Sequence, residues 1–401
     1  MTQLIPYMGT KRNLAGAVAA LVGESGPGPL LDVFAGMCAV GRAVGTTRPV
    51  WTNDVQHFAH AVAGATFCST KLAPTGASIH DLCSSVYLGQ LARLRGEFSE
   101  ELQAERIALS LRGASGYERV FDYSVERANS LMSGLGQLPY DLFTRRFGGT
   151  YFGYEQAIDF DALRMALDNL RTAGRICYEE HRWSVIGLCV ALSRCSTTTG
   201  HFAQALRPKD QTFRRFRAQR LRSLRLEWIR AMDQLLPIGS RQWRARNQAF
   251  RSDALELLAE VTRRSQTPSV IYADPPYTAD QYSRYYHVYE TALLYDYPAA
   301  AGRGMYRENR HASSFSHKTS VERSFEELVR QAADLRADLI ISYPANGLLD
   351  DSRRKIPALM ARHFKCRPQV LEIDYSHSTM GASKGTQRQA VTEILYRAKF
   401  R

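Results

Sequence analysis

The sequence predicts an α/β fold: a mixed sheet closed by a C-terminal β-hairpin and interrupted by a mainly helical inserted subdomain. Three observations carry this. Short apolar runs that read as buried strands recur at residues 30–34, 49–54, 269–273 and 338–344, with helix-like stretches between them. Residues 369–375 and 391–398 have strand character and are separated by a Gly-, Ser- and Lys-rich connection, the pattern of a hairpin that reverses the final strand. Between residues 65 and 249 no such alternation is visible, and helical spacing takes over: Leu221, Leu224, Trp228, Ala231 and Leu235 recur every three or four positions. The expected organisation is therefore a catalytic domain from residues 1–64 and 250–401, with a helical insertion at 65–249.

The strand ends carry the chemistry. The run 30–34 leads into Ala35-Gly36-Met37-Cys38-Ala39-Val40-Gly41, a small-residue loop that opens a helix. Glycine there permits close backbone approach to a ligand, and the helix start offers free N–H groups. The second run ends at Asp54, which either accepts hydrogen bonds from two ribose hydroxyls or caps a helix beginning near Val55. Asp253 precedes a helical stretch at 254–261 and reads equally well as its cap.

The run 269–273 ends in Asp274-Pro275-Pro276-Tyr277. The carboxylate can accept from an exocyclic amine, and the prolines fix φ and remove backbone donors, which leaves carbonyls free to face a ligand. The tyrosine supplies a stacking face for a flat ring. Residues 281–290 follow, dense in tyrosine and carrying Arg284. They could hold a displaced nucleotide, or start a helix whose tyrosines pack on the insertion. His287, with no ligand cluster around it, reads as a hydrogen-bonded structural histidine. Farther on, residues 325–335 form an amphipathic stretch and 356–364 a helix-like one, on either side of the strand at 338–344.

Composition narrows the class. Residues 207–251 hold 13 Lys/Arg against 3 Asp/Glu, a net +10 of the chain's +13, and a concentrated basic face suits a phosphate backbone. The seven cysteines are odd in number and scattered without a C-x-x-C pair, so neither a disulfide framework nor a zinc site is expected. The N-terminus lacks an apolar signal core and no apolar run approaches bilayer length, so a cytoplasmic location without membrane association is expected.

Asp274-Pro275-Pro276-Tyr277 resembles motif IV of the amino-methyltransferases that act on DNA, and residues 35–41 resemble motif I of S-adenosylmethionine-dependent methyltransferases. In that loop Cys38 stands where a third small residue, commonly glycine, is usual, and its thiol needs room. Pro6-Tyr7-Met8-Gly9-Thr10-Lys11 resembles motif X, and Arg251-Ser252-Asp253-Ala254 resembles motif III. The order X, I, II, insertion, III, IV is that of the Dam-type DNA adenine N6-methyltransferases.

The resemblance implies a Rossmann-like methyltransferase fold with S-adenosylmethionine as cofactor, held by Tyr7, Lys11, Asp32, Phe34, Gly36, Asp54, Asp253 and Ala254. It implies catalysis at Asp274, Pro275, Pro276 and Tyr277 without a metal. Arg214, Arg215, Arg217, Arg220, Tyr282 and Arg284 are expected to meet double-stranded DNA, and a cognate restriction endonuclease is a further partner if the enzyme serves a restriction system. Asp rather than Ser at the first motif IV position favours adenine N6 over cytosine N4. Methylation of RNA adenine or DNA cytosine N4 stays open, as does a nucleic-acid-binding relative without turnover.

Overall fold

The computed structural model describes Ile5 and residues 12–129, 140–302, 304–308, 310–378 and 388–400. The chain divides into two compact units, one of Tyr7–Thr70, Pro237–Ser283 and His311–Arg401, the other of Met1–Pro6, Lys71–Leu236 and Arg284–Arg310.

The first unit is built on seven strands: β1 (Leu30–Asp32), β2 (Val50–Asn53), β3 (Gln248–Phe250), β4 (Val270–Ala273), β5 (Asp338–Pro344), β6 (Gln369–Ser378) and β7 (Arg388–Ala398). Their order is β3-β2-β1-β4-β5-β7-β6. The first five are parallel, and β7 lies antiparallel between β5 and β6. The strand β3 goes beyond the sequence expectation: its three residues are only half-buried, so no apolar run marks it.

Alternation along each strand divides the core in two. Leu31, Ile271, Ala273, Leu339 and Ile341 pack with Leu257, Phe325, Leu328 and Met360 from the helices Ala254–Val261, Val321–Asp334 and Ser352–Phe364. Leu30, Val50, Val270, Tyr272 and Ile340 pack on the other face with Val18, Leu21, Val40 and Val44 from the helices Arg12–Gly23 and Ala39–Val44. Burial on both faces is why these strands read as continuous apolar runs.

The chain runs from β1 outward through β2 and β3 and then returns to β4 on the other side of β1. That reversal makes the β1/β4 boundary a topological switch point, where crevices open beyond the carboxyl ends of parallel strands.

The second unit is mainly helical, with long helices at Gly76–Glu97, Tyr154–Thr172 and Tyr178–Cys195 and a short antiparallel pair at Ala300–Ala301 and Tyr306–Arg307. The tyrosine-rich segment after residue 284 belongs here because its polar tips are satisfied here. Tyr295 donates to Asp161 (2.5 Å), Tyr297 to Asp141 (2.9 Å), and His287 Nε2 lies 3.0 Å from the Phe202 carbonyl oxygen. The helical stretch expected across 221–235 is broken. One helix ends at Arg220 and the next, Leu224–Met232, starts on the Ser223 cap, so Leu221 falls in the break and is 63% exposed.

Ile271 is fully buried at the centre of the parallel sheet. Ile271→Ala should lower stability by about 2–5 kcal/mol, read as a lower urea midpoint with an unchanged slope.

Candidate active site

A cleft opens at the switch point, with about 1030 Å³ of non-atom space including the solvent at its mouth. Asp32, Phe34 and Gly36 line it from the end of β1, Asp54 from the end of β2, Asp253 and Ala254 from beyond β3, and Asp274, Pro275, Pro276 and Tyr277 from the end of β4. Ten of the residues singled out in the sequence thus meet in one cavity.

Asn53 stitches three of these ends together. Its Nδ2 donates to the carbonyls of Val33 (3.1 Å) and Ser252 (3.0 Å), and its Oδ1 accepts from Ser252 N (3.1 Å). The proline corner is pinned from the far side, where the Tyr277 carbonyl accepts from Leu348 N at 3.0 Å. Phe34 is set by an edge-on contact with Phe315, ring centres 5.4 Å apart.

Each aspartate has a donor. Asp32 accepts from Phe34 N (3.3 Å) and Asp54 from Gly36 N (3.0 Å) and Gln56 N (2.9 Å). Asp253 accepts from Leu255 N (2.9 Å), and Asp274 from the Ser342 hydroxyl (3.1 Å). Asp253 thus caps its helix with Oδ1 while lining the cleft, and His311 Nε2 lies 3.6 Å from its Oδ2. Asp54 does not cap the next helix itself. That cap is Gln56, whose N–H Asp54 receives.

Burial raises the Asp32 carboxyl well above the usual range, and the neighbouring charges of Asp274 and Asp54 raise it further against the pull of the Phe34 N–H. Burial pushes Asp54 up to about 6, opposed by its two backbone donors. Among the described residues that line the cleft there are four aspartates and no lysine or arginine, so its field favours a cation.

Cys38 explains its own rarity. It caps the helix Ala39–Val44 with φ 61°, a left-handed conformation that costs a residue with a Cβ roughly 1–2 kcal/mol and that glycine adopts freely. The thiol has its room: it is fully buried, with Sγ 3.8 Å from the Gly36 carbonyl oxygen.

Tyr7 and Lys11 lie outside the described residues. Of the arginines expected to meet DNA, Arg214, Arg215 and Arg217 are exposed on the helix Phe213–Arg220, whose Phe213 and Phe216 face inward. Arg220 does not fit that expectation and is corrected: it is 4% exposed, its guanidinium lies over the rings of Phe216 and Tyr117, and it donates to the Thr150 carbonyl. It lies on the same helical face as Phe213 and Phe216, so it cannot reach a phosphate.

The basic run is also split, because Arg241, Arg244, Arg246 and Arg251 fall in the sheet unit, where Arg244 is buried against the Ser69 carbonyl. Tyr282 and Arg284 share a short 3₁₀ turn, and Arg284 is half-buried over the rings of Tyr285 and Tyr306 in the helical unit.

Gln281 and Ser283, from the tyrosine-rich segment, also line the cleft, as do His311 and Ser313, which sequence reading missed. Ser313 N donates to Gln281 Oε1 (2.9 Å) and Ser283 Oγ to the His311 carbonyl (3.0 Å), clasping two loops together. Isolated polar residues in loops carry no periodic signal, so nothing in the sequence marked His311 or Ser313.

Residues 238–340 match the model of the D12 class N6 adenine-specific DNA methyltransferases. The chain is 27% identical over 225 residues to "Modification methylase LlaI" of Lactococcus lactis subsp. lactis, covering 55% of this chain and 33% of that protein. It is 28% identical over 200 residues to "Type II methyltransferase M.FokI" of Planomicrobium okeanokoites, covering 50% and 27%. With "Type II methyltransferase M.NlaIII" of Neisseria lactamica it shares 26% identity over 234 residues, covering 56% and 63%. The chain thus spans less than two thirds of the length of each of these relatives.

Burial raises the Cys38 thiol far above its ordinary value, which leaves no reactive thiolate. In the native protein Cys38 should resist iodoacetamide and become alkylated only after denaturation, as read by mass spectrometry of its peptide.

Proposed function

We propose that this chain, whose residues 238–340 match the model of the D12 class N6 adenine-specific DNA methyltransferases, transfers a methyl group from S-adenosylmethionine to the N6 amine of adenine in double-stranded DNA. One observation carries the reading: the glycine turn after β1 and the Asp-Pro-Pro-Tyr corner after β4 open into one cleft. When bound, S-adenosylmethionine supplies a methyl group made electrophilic by its sulfonium. The cleft suits that donor by charge, since four aspartates and no lysine or arginine among the described lining residues favour a cation.

Asp54 would accept from the ribose of the donor, Asp253 from its adenine, and the loop at Phe34 and Gly36 would hold its remaining length, with Asp32 and Ala254 as walls. Tyr7 and Lys11 are proposed to hold the methionine end. On the substrate side, an adenine amine is a weak nucleophile because its lone pair is delocalised into the ring. Asp274 accepts from the amine N–H and, with a carbonyl of the proline corner, draws the nitrogen toward a tetrahedral shape and localises that pair. Tyr277 stacks on the base, which must first leave the duplex, and stacking offsets the few kcal/mol lost on extrusion.

Arg214, Arg215 and Arg217 would grip phosphates, with Tyr282 and Arg284 beside the displaced nucleotide, and the helical unit would serve target recognition. The proposed setting is the cytoplasm, with a cognate restriction endonuclease as partner where the chain serves a restriction system.

Purified protein incubated with labelled S-adenosylmethionine and duplex DNA should yield N6-methyldeoxyadenosine on nucleoside digestion, and Asp274→Ala should abolish it. Label in cytidine or in ribonucleosides would replace the substrate in this reading, and cofactor binding without turnover would reduce the protein to a nucleic-acid binder.

DNA affinity should fall steeply with salt, and replacing Arg214, Arg215 and Arg217 by glutamine should flatten the log–log slope by about 0.9 for each phosphate that is no longer neutralised. Arg220→Gln should lower the melting temperature and leave that slope unchanged.

A further inference from the structure

The carboxylate at the proline corner does not stand alone in the sheet. The parallel register pairs Tyr272 with Ile340 and Ala273 with Ile341, so the next residue of β5, Ser342, arrives beside Asp274. Ser342 is fully buried in a strand whose other central residues are apolar, and its hydroxyl donates to Asp274 Oδ1 at 3.1 Å. The same oxygen lies 2.9 Å from the Tyr272 phenol oxygen. A serine hydroxyl has one proton. Because that proton is committed to the carboxylate, the Tyr272 phenol must donate to Ser342. The direction of the chain is thereby set: Tyr272 O–H to Ser342 Oγ, Ser342 O–H to Asp274.

We propose that Ser342, backed by Tyr272, is a positioning residue for methyl transfer, orienting the Asp274 carboxylate and holding it in the ionised, accepting form. The inference rests on the proposed function and deepens it. A carboxylate at the end of a strand has rotational freedom about χ2, and accepting from an amine requires both the right rotamer and a negative charge. A buried donor on the neighbouring strand supplies both. It fixes one oxygen in space, and a hydrogen bond to the charged form lowers the affinity of that carboxylate for a proton. The phenol strengthens the effect, since a hydroxyl that accepts a hydrogen bond becomes a better donor. Tyr272 and Asp274, the two ends of the chain, line the cleft, and the buried Ser342 joins them.

The test compares wild type with Ser342→Ala, Ser342→Thr and Tyr272→Phe. Ser342→Ala should slow single-turnover methylation by about 10- to 100-fold, the range typical of a partner that orients a functional group, while leaving binding of S-adenosylmethionine and DNA within about threefold. Ser342→Thr, which keeps the hydroxyl, should recover most of the rate, and Tyr272→Phe should fall between. With the donor gone Asp274 holds its proton more tightly, so the acid limb of the pH–rate profile should move up by about one pH unit in Ser342→Ala.

A second readout needs no activity: the carbon-13 signal of the Asp274 carboxyl, assigned by its loss in Asp274→Asn, should titrate at higher pH in Ser342→Ala than in wild type. An unmoved titration overturns the proposal, as does a Ser342→Ala enzyme with wild-type rate and profile. If wild type methylates no adenine, the proposed function fails while the carboxyl titration still decides whether Ser342 governs Asp274.

Discussion

Four carboxylates converge at the ends of parallel strands in one cleft, and their crowding is the constraint around which the site is arranged. Like charges at short range in a poorly solvated cavity cannot all ionise freely. At Asp32 the carboxyl is pushed well above the usual range, by burial first and then by the charges of Asp274 and Asp54. The others are met by donors aimed from the backbone or from a neighbouring strand: Gly36 and Gln56 N–H on Asp54, Leu255 N–H on Asp253, the Ser342 hydroxyl on Asp274. Such an arrangement does little for stability. A cleft lined by carboxylates attracts positively charged ligands.

Holding these groups at one level is the work of the sheet. Parallel pairing places the last residues of β1, β2 and β4 side by side, and the reversal of chain direction at β1 leaves the crevice open. Asn53 then binds the loops beyond β1 and β3 to the end of β2 through both ends of its amide. The turn after β1 needs a left-handed residue at Cys38 to start its helix within the available length. These are local costs, and the two apolar layers on either face of the sheet offset them.

Legibility followed burial. The strands β1, β2, β4 and β5 were visible because burial on both faces writes a continuous apolar run, and the helix Ala254–Val261 because its apolar face repeats at helical spacing. The half-buried β3 left no such trace. The cleft residues at strand ends were legible because short polar or glycine-rich strings follow each run. Ser342 was in plain view as a lone hydroxyl inside an apolar strand, yet its meaning depends on register with β4, which a single sequence does not contain. Arg220 shows the opposite failure. Composition counts charge without direction, and a helix of eight residues carrying Arg214, Arg215, Arg217 and Arg220 turns the last of them inward, onto aromatic rings.

The segregation of charge has a consequence for the proposed chemistry. A nucleotide presents a neutral base and an anionic backbone, which ask for opposite surroundings. Four aspartates with no lysine or arginine among the described lining residues make the cleft hostile to phosphate and tolerant of a base whose amine donates hydrogen bonds. Arg214, Arg215 and Arg217, exposed on the helical unit, have the complementary preference. Were the same arginines placed in the cleft, they would neutralise Asp274 as an acceptor and compete with a sulfonium for its field. With these three arginines outside the cleft, phosphate contact and base contact would be separable, and since mobile ions screen exposed charges far more than buried ones, salt would act on the first with little effect on the second.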